Sequence, residues 1–197
     1  MATINHHQKH QNQVRIIGGS HRGRKINFQS AEGLRPTADS VRERLFNWLG
    51  QDLTGLSVLD LFAGSGALGF EAASRNAARV IMVESNKQTT DNLKKHIDIF
   101  GFGEHVVIQR QTAQEFLLGN KQTFDIVLLD PPFAWQQWAE LFELLQDHLK
   151  NEAFIYIEAE ELPICPQWLE TYRQGRAGQS RFAILRPLPK LTGKHIF

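Results

Sequence analysis

Cysteine is almost absent from the sequence: Cys165 is the only one among 197 residues. A disulfide within the chain is therefore excluded, and a lone thiol is typical of proteins in reducing compartments. The histidines near the N-terminus have no cysteine partners at the spacing of a metal site, so we expect no metal. No apolar run reaches membrane-spanning length and the first 13 residues contain no signal-peptide core, which predicts a cytoplasmic protein without a membrane partner.

Acidic residues are absent from the first 30 positions, although the whole chain has a formal net charge of only +1. Residues 1–50 hold eight Lys or Arg against three acids, and the rest of the chain is acidic on balance. Such an asymmetry suggests an anionic partner, with nucleic acid as the first candidate. A solvated β-ribbon with ordinary surface charges is the alternative interpretation of the basic segment.

The N-terminal part of the chain is predicted to form an extension ahead of one larger domain. Residues 1–13 are polar and lack periodicity, which predicts a disordered tail. Residues 14–19 and 22–28 are predicted as two strands around a Gly-Gly-Ser-His turn, followed by a loop to residue 36. Thr37 is expected to be the N-cap of a helix that runs to about Gly50, at the start of a domain over residues 37–197.

Strand-like and helix-like apolar segments then alternate about five times. This alternation predicts a mostly parallel sheet with helices on both faces. Residues 168–173 and 181–186 are expected to add an antiparallel hairpin, which would complete a seven-stranded sheet. The predicted strands cover residues 57–62, 79–83, 105–109, 124–129 and 153–158, and the predicted helices cover 67–75, 87–100, 113–118 and 135–149.

A glycine-rich loop joins the first core strand to its helix. Gly64, Gly66 and Gly69 satisfy the pattern G-x-G-x-x-G, and here the pattern follows a strand and opens a helix, as nucleotide binding requires. Glu84 comes eighteen residues after Gly66, at the end of the next strand, where a carboxylate can accept hydrogen bonds from ribose hydroxyls. The loop therefore predicts a nucleotide-containing cofactor.

Asp60 at the end of that first strand favours one cofactor over another. A carboxylate beside the loop would repel the pyrophosphate of NAD, whereas it would attract the sulfonium and ammonium groups of S-adenosylmethionine. We therefore expect S-adenosylmethionine, although an Asp that only organises the turn is the simpler alternative.

The segment Asp130-Pro-Pro-Phe133 follows a buried strand, Ile126 to Leu129, and the two prolines end that strand. Open α/β sheets bind their ligands at this end of their strands. Because proline has no N–H group, Asp130 and the local carbonyls offer only acceptors, which suit an exocyclic NH₂ group. Phe133 can stack on a planar ring. A strand that ends in a structural Pro-Pro turn is the alternative.

These motifs resemble class I S-adenosylmethionine-dependent methyltransferases, and Asp130-Pro-Pro-Phe133 is similar to the tetrad of enzymes that methylate exocyclic amines in nucleic acids. More narrowly, the chain from about Val14 to Arg186 resembles the bacterial family that methylates guanine N2 in small-subunit ribosomal RNA. The narrower resemblance is carried by Arg15-Ile-Ile-Gly-Gly19, Arg22-Gly-Arg-Lys25, Gly33-Leu-Arg-Pro-Thr37, Val41-Arg-Glu-Arg-Leu-Phe-Asn-Trp-Leu49 and Ala63-Gly-Ser-Gly-Ala-Leu-Gly69.

The resemblance implies a Rossmann-like fold, S-adenosylmethionine as cofactor and 16S ribosomal RNA as partner, either free or in an assembled 30S particle, with the protein acting as a monomer. After the third strand the chain has Thr112 where many class I enzymes place an Asp near the adenine. The expected catalytic residues are Asp130, Pro131, Pro132 and Phe133. The expected cofactor contacts are Asp60, Phe62, Ala63, Gly64, Ser65, Gly66, Glu84, Ser85, Thr112, Ala113 and Thr37. The expected RNA contacts are Arg15, Arg22, Arg24, Lys25, Arg35 and Arg42.

Three other functions remain open from the sequence. A DNA or RNA methyltransferase that acts on adenine N6 or another exocyclic amine would share the Asp-Pro-Pro-Phe motif, although a chain of this length leaves no room for a large DNA-recognition domain. An NAD-dependent oxidoreductase would use the glycine loop but would leave Asp60 and Asp130 unexplained. A non-catalytic RNA-binding assembly factor could retain the fold without the activity.

Overall fold

The structure is a computed structural model, and it describes residues 12–28 and 37–189. Two short strands come first and pair antiparallel as a hairpin: β1 (Asn12–Arg15) and β2 (Lys25–Phe28). Within the described residues, five α-helices follow: α1 (Asp39–Leu49), α2 (Ala67–Ser74), α3 (Lys87–Phe100), α4 (Ala113–Gly119) and α5 (Trp138–Leu145). The strands of the main sheet are β3 (Ser57–Asp60), β4 (Arg79–Val83), β5 (Val106–Gln109), β6 (Phe124–Leu129), β7 (Leu149–Ala159), β8 (Leu169–Ala177) and β9 (Ser180–Pro187).

In the part of the chain that the structure describes, the main sheet has seven strands in the order β5-β4-β3-β6-β7-β9-β8. Neighbouring strands from β5 to β7 are parallel, whereas β9 runs antiparallel to both β7 and β8. This topology confirms the predicted α/β class, the seven strands and the antiparallel C-terminal hairpin. The order reverses between β3 and β6, so their carboxyl ends form the crevice in which such sheets bind ligands.

Helices cover both faces of the sheet, which is why its central strands are apolar on both sides. Along β6, Ile126 and Leu128 face a core that also contains residues of α1, α2 and α3. Val127 and Leu129 face a second core with residues of α4 and α5. Because successive side chains are buried in opposite cores, β6 is apolar at every position from Ile126 to Leu129, and Asp130 is the first polar residue after this run.

The N-terminal hairpin packs on the first of these cores, where Val14, Ile16, Ile26 and Phe28 are buried. Its tip, residues 18–24, reaches the C-terminal ends of α2 and α3. The His21 backbone N–H donates to Ser74 Oγ at 2.9 Å, for example. Because α2 and α3 begin at the carboxyl ends of β3 and β4, their own ends lie at the opposite edge of the sheet. The hairpin tip therefore lies at the amino edge, away from the carboxyl edge.

Several boundaries differ from the sequence prediction. Asn12 and Gln13 belong to β1, paired with Phe28 and Asn27, and not to the predicted tail. The residue that caps α1 is Ala38, which makes no side-chain capping bond, so the expectation that Thr37 is the N-cap was wrong. The fifth helix is shorter than predicted because a 3₁₀ turn, Gln146–His148, ends it and β7 begins at once. These differences depend on pairing and packing between distant segments, which local propensity does not encode.

The remainder of the predicted tail, the loop over 29–36 and the last eight residues lie outside the described residues. Among the described residues, there is no helix of the length and apolarity needed to cross a membrane.

Candidate active site

A cavity of about 360 Å³ lies at the carboxyl edge of the sheet, above β3, β4, β5 and β6. Its volume falls within the range of small-molecule sites, roughly 300–1,000 Å³. The glycine loop, the ends of β4 and β5, and the segment after β6 form its walls. Local sequence explains this arrangement: Asp60, Glu84 and Asp130 end the apolar runs of β3, β4 and β6, and the connecting loops meet at one edge because the strands are parallel.

Asp60 is buried at the base of the cavity, with 1% of its surface exposed. Its Oδ2 accepts a hydrogen bond from the Gly69 backbone N–H at 3.0 Å. Its Oδ1 is buried and has no hydrogen-bond partner among the described residues. Burial raises the pKa of Asp60 to about 7; the backbone N–H groups of Phe62 and Gly69 oppose this increase, and the negative charge of Glu84 adds to it. A buried carboxylate oxygen without a partner is expected to bind a donor or a cation.

Two glycines of the glycine loop, Gly66 and Gly69, are required by packing against the core and not by contact with the cavity. Gly66 has φ +83°, and a Cβ there would lie 2.6 Å from Phe70 and 2.7 Å from Leu93. A Cβ on Gly69 would lie 2.8 Å from Met82, so this glycine allows α2 to pack closely on β4. Gly66 therefore turns the chain into α2 with its Cα facing the core. It does not line the cavity, although the neighbouring Gly64 and Ser65 do.

Glu84 at the end of β4 links the glycine loop to the turn that follows β4. Its Oε2 accepts from the Gly64 N–H at 3.1 Å, and its Oε1 accepts from the Asn86 N–H at 2.7 Å. Each carboxylate oxygen can accept a further hydrogen bond, so both remain able to bind hydroxyl groups. Glu84 can thus fix the glycine loop and contact a ribose at the same time.

Thr112 is already used by the helix that it opens. It is the N-cap of α4 in a capping box with Glu115: its Oγ1 accepts from the Glu115 N–H, and Glu115 accepts from the Thr112 N–H. The Thr112 hydroxyl also donates to Glu115 at 2.9 Å. The spacing Thr-x-x-Glu is a recognisable sequence signal for this cap. Thr112 borders the cavity, and although its hydroxyl proton is used by Glu115, its oxygen keeps one lone pair that can accept a further hydrogen bond.

Asp130 is half-buried at the end of β6 and faces the cavity. The Thr37 hydroxyl donates to its Oδ2 at 2.7 Å. Among the described residues, Asp130 Oδ1 accepts no hydrogen bond. Burial raises the pKa of Asp130 well above its ordinary value, the negative charge of Glu158 adds to this increase, and the bond from Thr37 opposes it. Asp130 therefore presents one orientated, unpaired oxygen with enhanced basicity to the cavity.

A fourth carboxylate, Glu158, lies beside Asp130 at the end of the neighbouring strand β7. It is buried, and it accepts hydrogen bonds from the Tyr156 hydroxyl at 2.7 Å and from the Ser180 hydroxyl. Burial raises the pKa of Tyr156 well above its ordinary value, with Glu158 adding to the increase, so Tyr156 remains a donor. Four neighbouring strands, β4, β3, β6 and β7, thus each have an acid at the carboxyl end, and the cavity is suited to a cation.

Aromatic side chains form the outer wall of the cavity. Phe133 is 47% exposed and borders the cavity, so one face of its ring is open to a planar ligand. Trp135 lies edge-on to Phe62, with 5.2 Å between ring centroids, and edge-on to Trp138 at 5.1 Å. These contacts fix the wall next to Pro131 and Pro132 and leave Phe133 as the exposed ring.

The comparisons with known proteins agree with this site. A family model described as "Conserved hypothetical protein 95" matches residues 14–186. A protein of Escherichia coli (strain K12) named "Ribosomal RNA small subunit methyltransferase D" is 41% identical over 177 residues, which cover 87% of this chain and 89% of that protein. The chain belongs to this methyltransferase family. The resemblance derived from the motifs is therefore confirmed.

Other members of the methyltransferase D family support the assignment. The protein of that name from Haemophilus influenzae is 43% identical over 154 residues, covering 76% of this chain and 80% of its own. A solved structure of an Escherichia coli protein, yhhF, described as a candidate methyltransferase, has a TM-score of 0.80 and 39% identity. It is matched over its whole length and covers 91% of this chain. The class I methyltransferase fold is thus established for this chain.

In this family member, the cavity brings together nearly all of the predicted cofactor and catalytic residues. All four residues of the Asp-Pro-Pro-Phe motif line it, and so does every predicted cofactor contact except Gly66. The prediction did not include eight other residues that also line the cavity, although two of them, Ala67 and Leu68, belong to the glycine-loop motif. These eight residues are Leu61, Ala67, Leu68, Val83, Gln111, Gln114, Trp135 and Gln137.

One pair among the missed residues closes a side of the cavity. Gln114 Nε2 donates to Gln137 Oε1 at 2.7 Å, which links the start of α4 to the start of α5. Single glutamines at the starts of helices carry no sequence signal, and only the position of Gln114 two residues after the capping residue Thr112 could have suggested it.

The predicted RNA contacts separate into different environments. Arg42 is completely buried and pairs with Glu71 at 3.2 Å and Asp39 at 2.6 Å, so the expectation that it contacts RNA was wrong. Helical spacing explains the error, because position 42 faces the core beside Val41, Leu45 and Phe46. Arg35 lies outside the described residues.

The other four predicted RNA contacts are exposed on the N-terminal hairpin. Arg15 pairs with Asp39 at 3.2 Å. Arg24 Nη1 donates to the Ile99 carbonyl at 3.1 Å, at the C-terminal end of α3, where a positive charge also favours the helix dipole. Arg22 and Lys25 make no ion pair among the described residues. Because the hairpin tip lies at the amino edge of the sheet, Arg22 and Arg24 are remote from the cavity.

Proposed function

We propose that the protein transfers a methyl group from S-adenosylmethionine to the exocyclic N2 amine of a guanine in small-subunit ribosomal RNA. The observation that carries this proposal is the placement of Asp130-Pro-Pro-Phe133 opposite the glycine loop in a single cavity. Relatives named ribosomal RNA small subunit methyltransferase D support the RNA substrate. The proposed substrate is this RNA, either free or in an assembled 30S particle. The protein is proposed to act as a monomer.

The chemistry of the cavity fits the cofactor. The buried Asp60 Oδ1 lacks a hydrogen-bond partner among the described residues, and Asp130 and Glu84 add negative charge nearby. An ammonium group would satisfy Asp60, whereas a pyrophosphate would be repelled, which argues against NAD. S-adenosylmethionine, when bound, supplies a methyl group activated by a positively charged sulfur. Asp60, Gly64, Glu84 and the loop between β5 and α4 would hold it.

Asp130 and the Pro131 carbonyl would orient the substrate amine. Because Thr37 occupies Asp130 Oδ2, Oδ1 is the oxygen left to accept an N–H from the amine. If the Pro131 carbonyl accepts the second N–H, the nitrogen lone pair, which is delocalised in the free base, is directed towards the methyl group. Such orientation can contribute on the order of 7–11 kcal/mol at best.

The nitrogen gains a positive charge as its bond to the methyl carbon forms and the sulfur–carbon bond breaks, so it must then release one proton. Asp130, whose pKa is raised mainly by burial, is a better proton acceptor than an ordinary Asp. Phe133 would stack on the base, a contact worth roughly 1–3 kcal/mol. A paired guanine cannot enter this cavity, so the target is unpaired or flipped out of its helix.

The test is to incubate the protein with labelled S-adenosylmethionine and either deproteinised RNA or assembled 30S particles, digest the RNA to nucleosides and identify the product by mass spectrometry. We expect N2-methylguanosine. If the product is N6-methyladenosine, methyl transfer to an exocyclic amine is supported but guanine is not the substrate. RNA binding without any methylated product would favour the alternative of a non-catalytic assembly factor.

Two variants assign the residues within that assay. Asp130→Ala should abolish methyl transfer while calorimetry still detects S-adenosylmethionine, because Asp130 is assigned to the amine. Glu84→Ala should weaken cofactor binding by roughly 1.5–3 kcal/mol, the value of a charged hydrogen bond. A near wild-type rate for Asp130→Ala would show that the Asp-Pro-Pro-Phe motif is only a structural turn. Preferential binding of NAD would refute the assignment of S-adenosylmethionine as the cofactor.

A further inference from the structure

The C-terminal hairpin of β8 and β9 is strongly basic, although the domain around it is acidic. Residues 169–187 contain four arginines and a single acid, Glu170. The turn of this hairpin, residues 177–180, lies at the carboxyl edge of the sheet, because β8 runs parallel to β7. The Ser180 hydroxyl donates to Glu158, the carboxylate whose charge acts on Asp130. The hairpin turn therefore adjoins the mouth of the active site.

Two of the arginines face each other directly across the hairpin. Arg176 and Arg181 are register partners, both are exposed, and neither forms an ion pair among the described residues. Like charges in directly opposed positions destabilise an antiparallel pair. Arg186, at the other end of β9, is instead neutralised by Glu170 at 2.6 Å. The repulsion at the turn is thus uncompensated within the described part of the protein.

The geometry keeps these guanidinium groups near the turn. Arg176 Nε donates to the Gly178 carbonyl at 2.9 Å, which leaves its other N–H groups free. On the opposite face of the hairpin, Arg44 of α1 lies over the Phe182 ring, with 5.6 Å between Arg44 Cζ and the ring centroid. Arg44 is exposed and also forms no ion pair among the described residues. Positive charge therefore surrounds the turn from both faces.

We propose that Arg176 and Arg181, together with Arg44, bind the ribose-phosphate backbone of the RNA beside the target guanine. This inference rests on the proposed function. A nucleotide that enters the cavity leaves its flanking phosphates at the mouth, where the guanidinium fork matches a phosphate in bidentate geometry. Phosphates between Arg176 and Arg181 would also remove their mutual repulsion. Protection of the exposed edge strand β8 from aggregation is the competing role for these charges.

The test is a double variant, Arg176→Ala with Arg181→Ala, compared with a matched double variant, Arg79→Ala with Lys121→Ala. The control removes two exposed bases at the amino edge of the sheet, so both proteins lose the same charge. Binding of a target-containing RNA is measured from 50 to 300 mM salt, roughly the range over which phosphate contacts are screened. Methyl transfer is measured with the same RNA at varied concentrations.

We expect the hairpin variant to raise the KM for RNA severalfold with kcat nearly unchanged. It should also lower the slope of log Kd against log salt by about 1.4, since each phosphate of single-stranded RNA that is no longer neutralised by an arginine reduces the slope by about 0.7. Its melting temperature should be unchanged or higher, since repulsion is removed. The control should keep the wild-type KM and slope.

An unchanged KM and salt slope in the hairpin variant would overturn the inference, and aggregation of that variant with normal RNA binding would assign the arginines to edge protection. Failure of the proposed function is distinguishable, because the wild-type protein would then produce no methylated guanine with any RNA.

Discussion

The Thr37 hydroxyl donates a hydrogen bond of 2.7 Å to Asp130 Oδ2, across 93 residues of sequence. Thr37 is fixed by a second hydrogen bond, because its backbone carbonyl accepts from Arg42 Nε at 3.2 Å. Arg42 Nη2 also donates to the Arg15 carbonyl at 2.7 Å. The N-terminal hairpin is therefore connected through two residues to the carboxylate assigned to the substrate amine.

Thr37→Val should reduce kcat/KM for RNA methylation about 10- to 100-fold, because a hydrogen bond to a charged group is worth roughly 1.5–3 kcal/mol. Without the hydroxyl, Asp130 can rotate and present either oxygen to the amine. Cofactor affinity measured by calorimetry should change little. Thr37→Ser retains the hydroxyl and should restore most of the activity. A Thr37→Val enzyme with the wild-type rate would show that the orientation of Asp130 does not depend on this bond.

Asp60 should make the stability of the protein depend on pH. Its pKa is about 7 in the folded state against 3.8 for an ordinary Asp. The folded state thus binds more protons than the unfolded state between these values, so the free energy of unfolding falls as pH rises from about 4 to 7. At about 1.4 kcal/mol per pKa unit, the cost above pH 7 is on the order of 4 kcal/mol.

Asp60→Asn removes that titration and is the matched test. In urea unfolding it should be more stable than the wild type at pH 8, with the difference shrinking towards pH 5. It should also bind S-adenosylmethionine more weakly, because the carboxylate is lost. In the wild type, cofactor affinity should increase from pH 5 to 8, with proton release visible when calorimetry is repeated in buffers of different ionisation enthalpy. A stability difference independent of pH would contradict the assignment to Asp60.

Arg42→Ala should destabilise the fold by about 3–5 kcal/mol, the usual cost of removing one member of a buried ion pair. Glu71 would keep Arg75, at 2.8 Å, but the Thr37 and Arg15 carbonyls would each lose a donor. Glu43→Ala, an exposed change on the same helix, should have an effect within about 0.5 kcal/mol. The measurement is urea unfolding monitored by tryptophan fluorescence. Equal stability of the two variants would indicate that the buried network contributes little.

The N-terminal hairpin gives a separate prediction for RNA. Arg22→Ala combined with Lys25→Ala should lower the salt slope of RNA binding by up to about 1.4, with cofactor affinity unchanged. Arg24 is kept in this variant because it bonds the end of α3, and its removal would mix stability with binding. If the salt slope stays at the wild-type value, the hairpin tip is not part of the RNA interface. That result would be consistent with its position at the amino edge of the sheet, away from the cavity.

The sequence by itself determined the class of fold, because alternating apolar segments and their glycine and proline boundaries are local signals. It also determined that Asp60, Glu84 and Asp130 lie in one cavity, since acids that follow successive parallel strands must share one edge of the sheet. Thr-x-x-Glu at Thr112 is a local signal of the same kind, and it encodes a helix cap at the border of the cavity.

Only the tertiary structure decided which charges are buried and which distant groups meet. Arg42 looks like any other arginine of the basic N-terminal segment, yet helix packing places it against Glu71. Thr37 looks like a helix cap, yet its hydroxyl reaches Asp130. Arg176 and Arg181 become a pair only through strand register. Each of these relationships joins residues through space, and their energies depend on burial and geometry, which composition and periodicity do not specify.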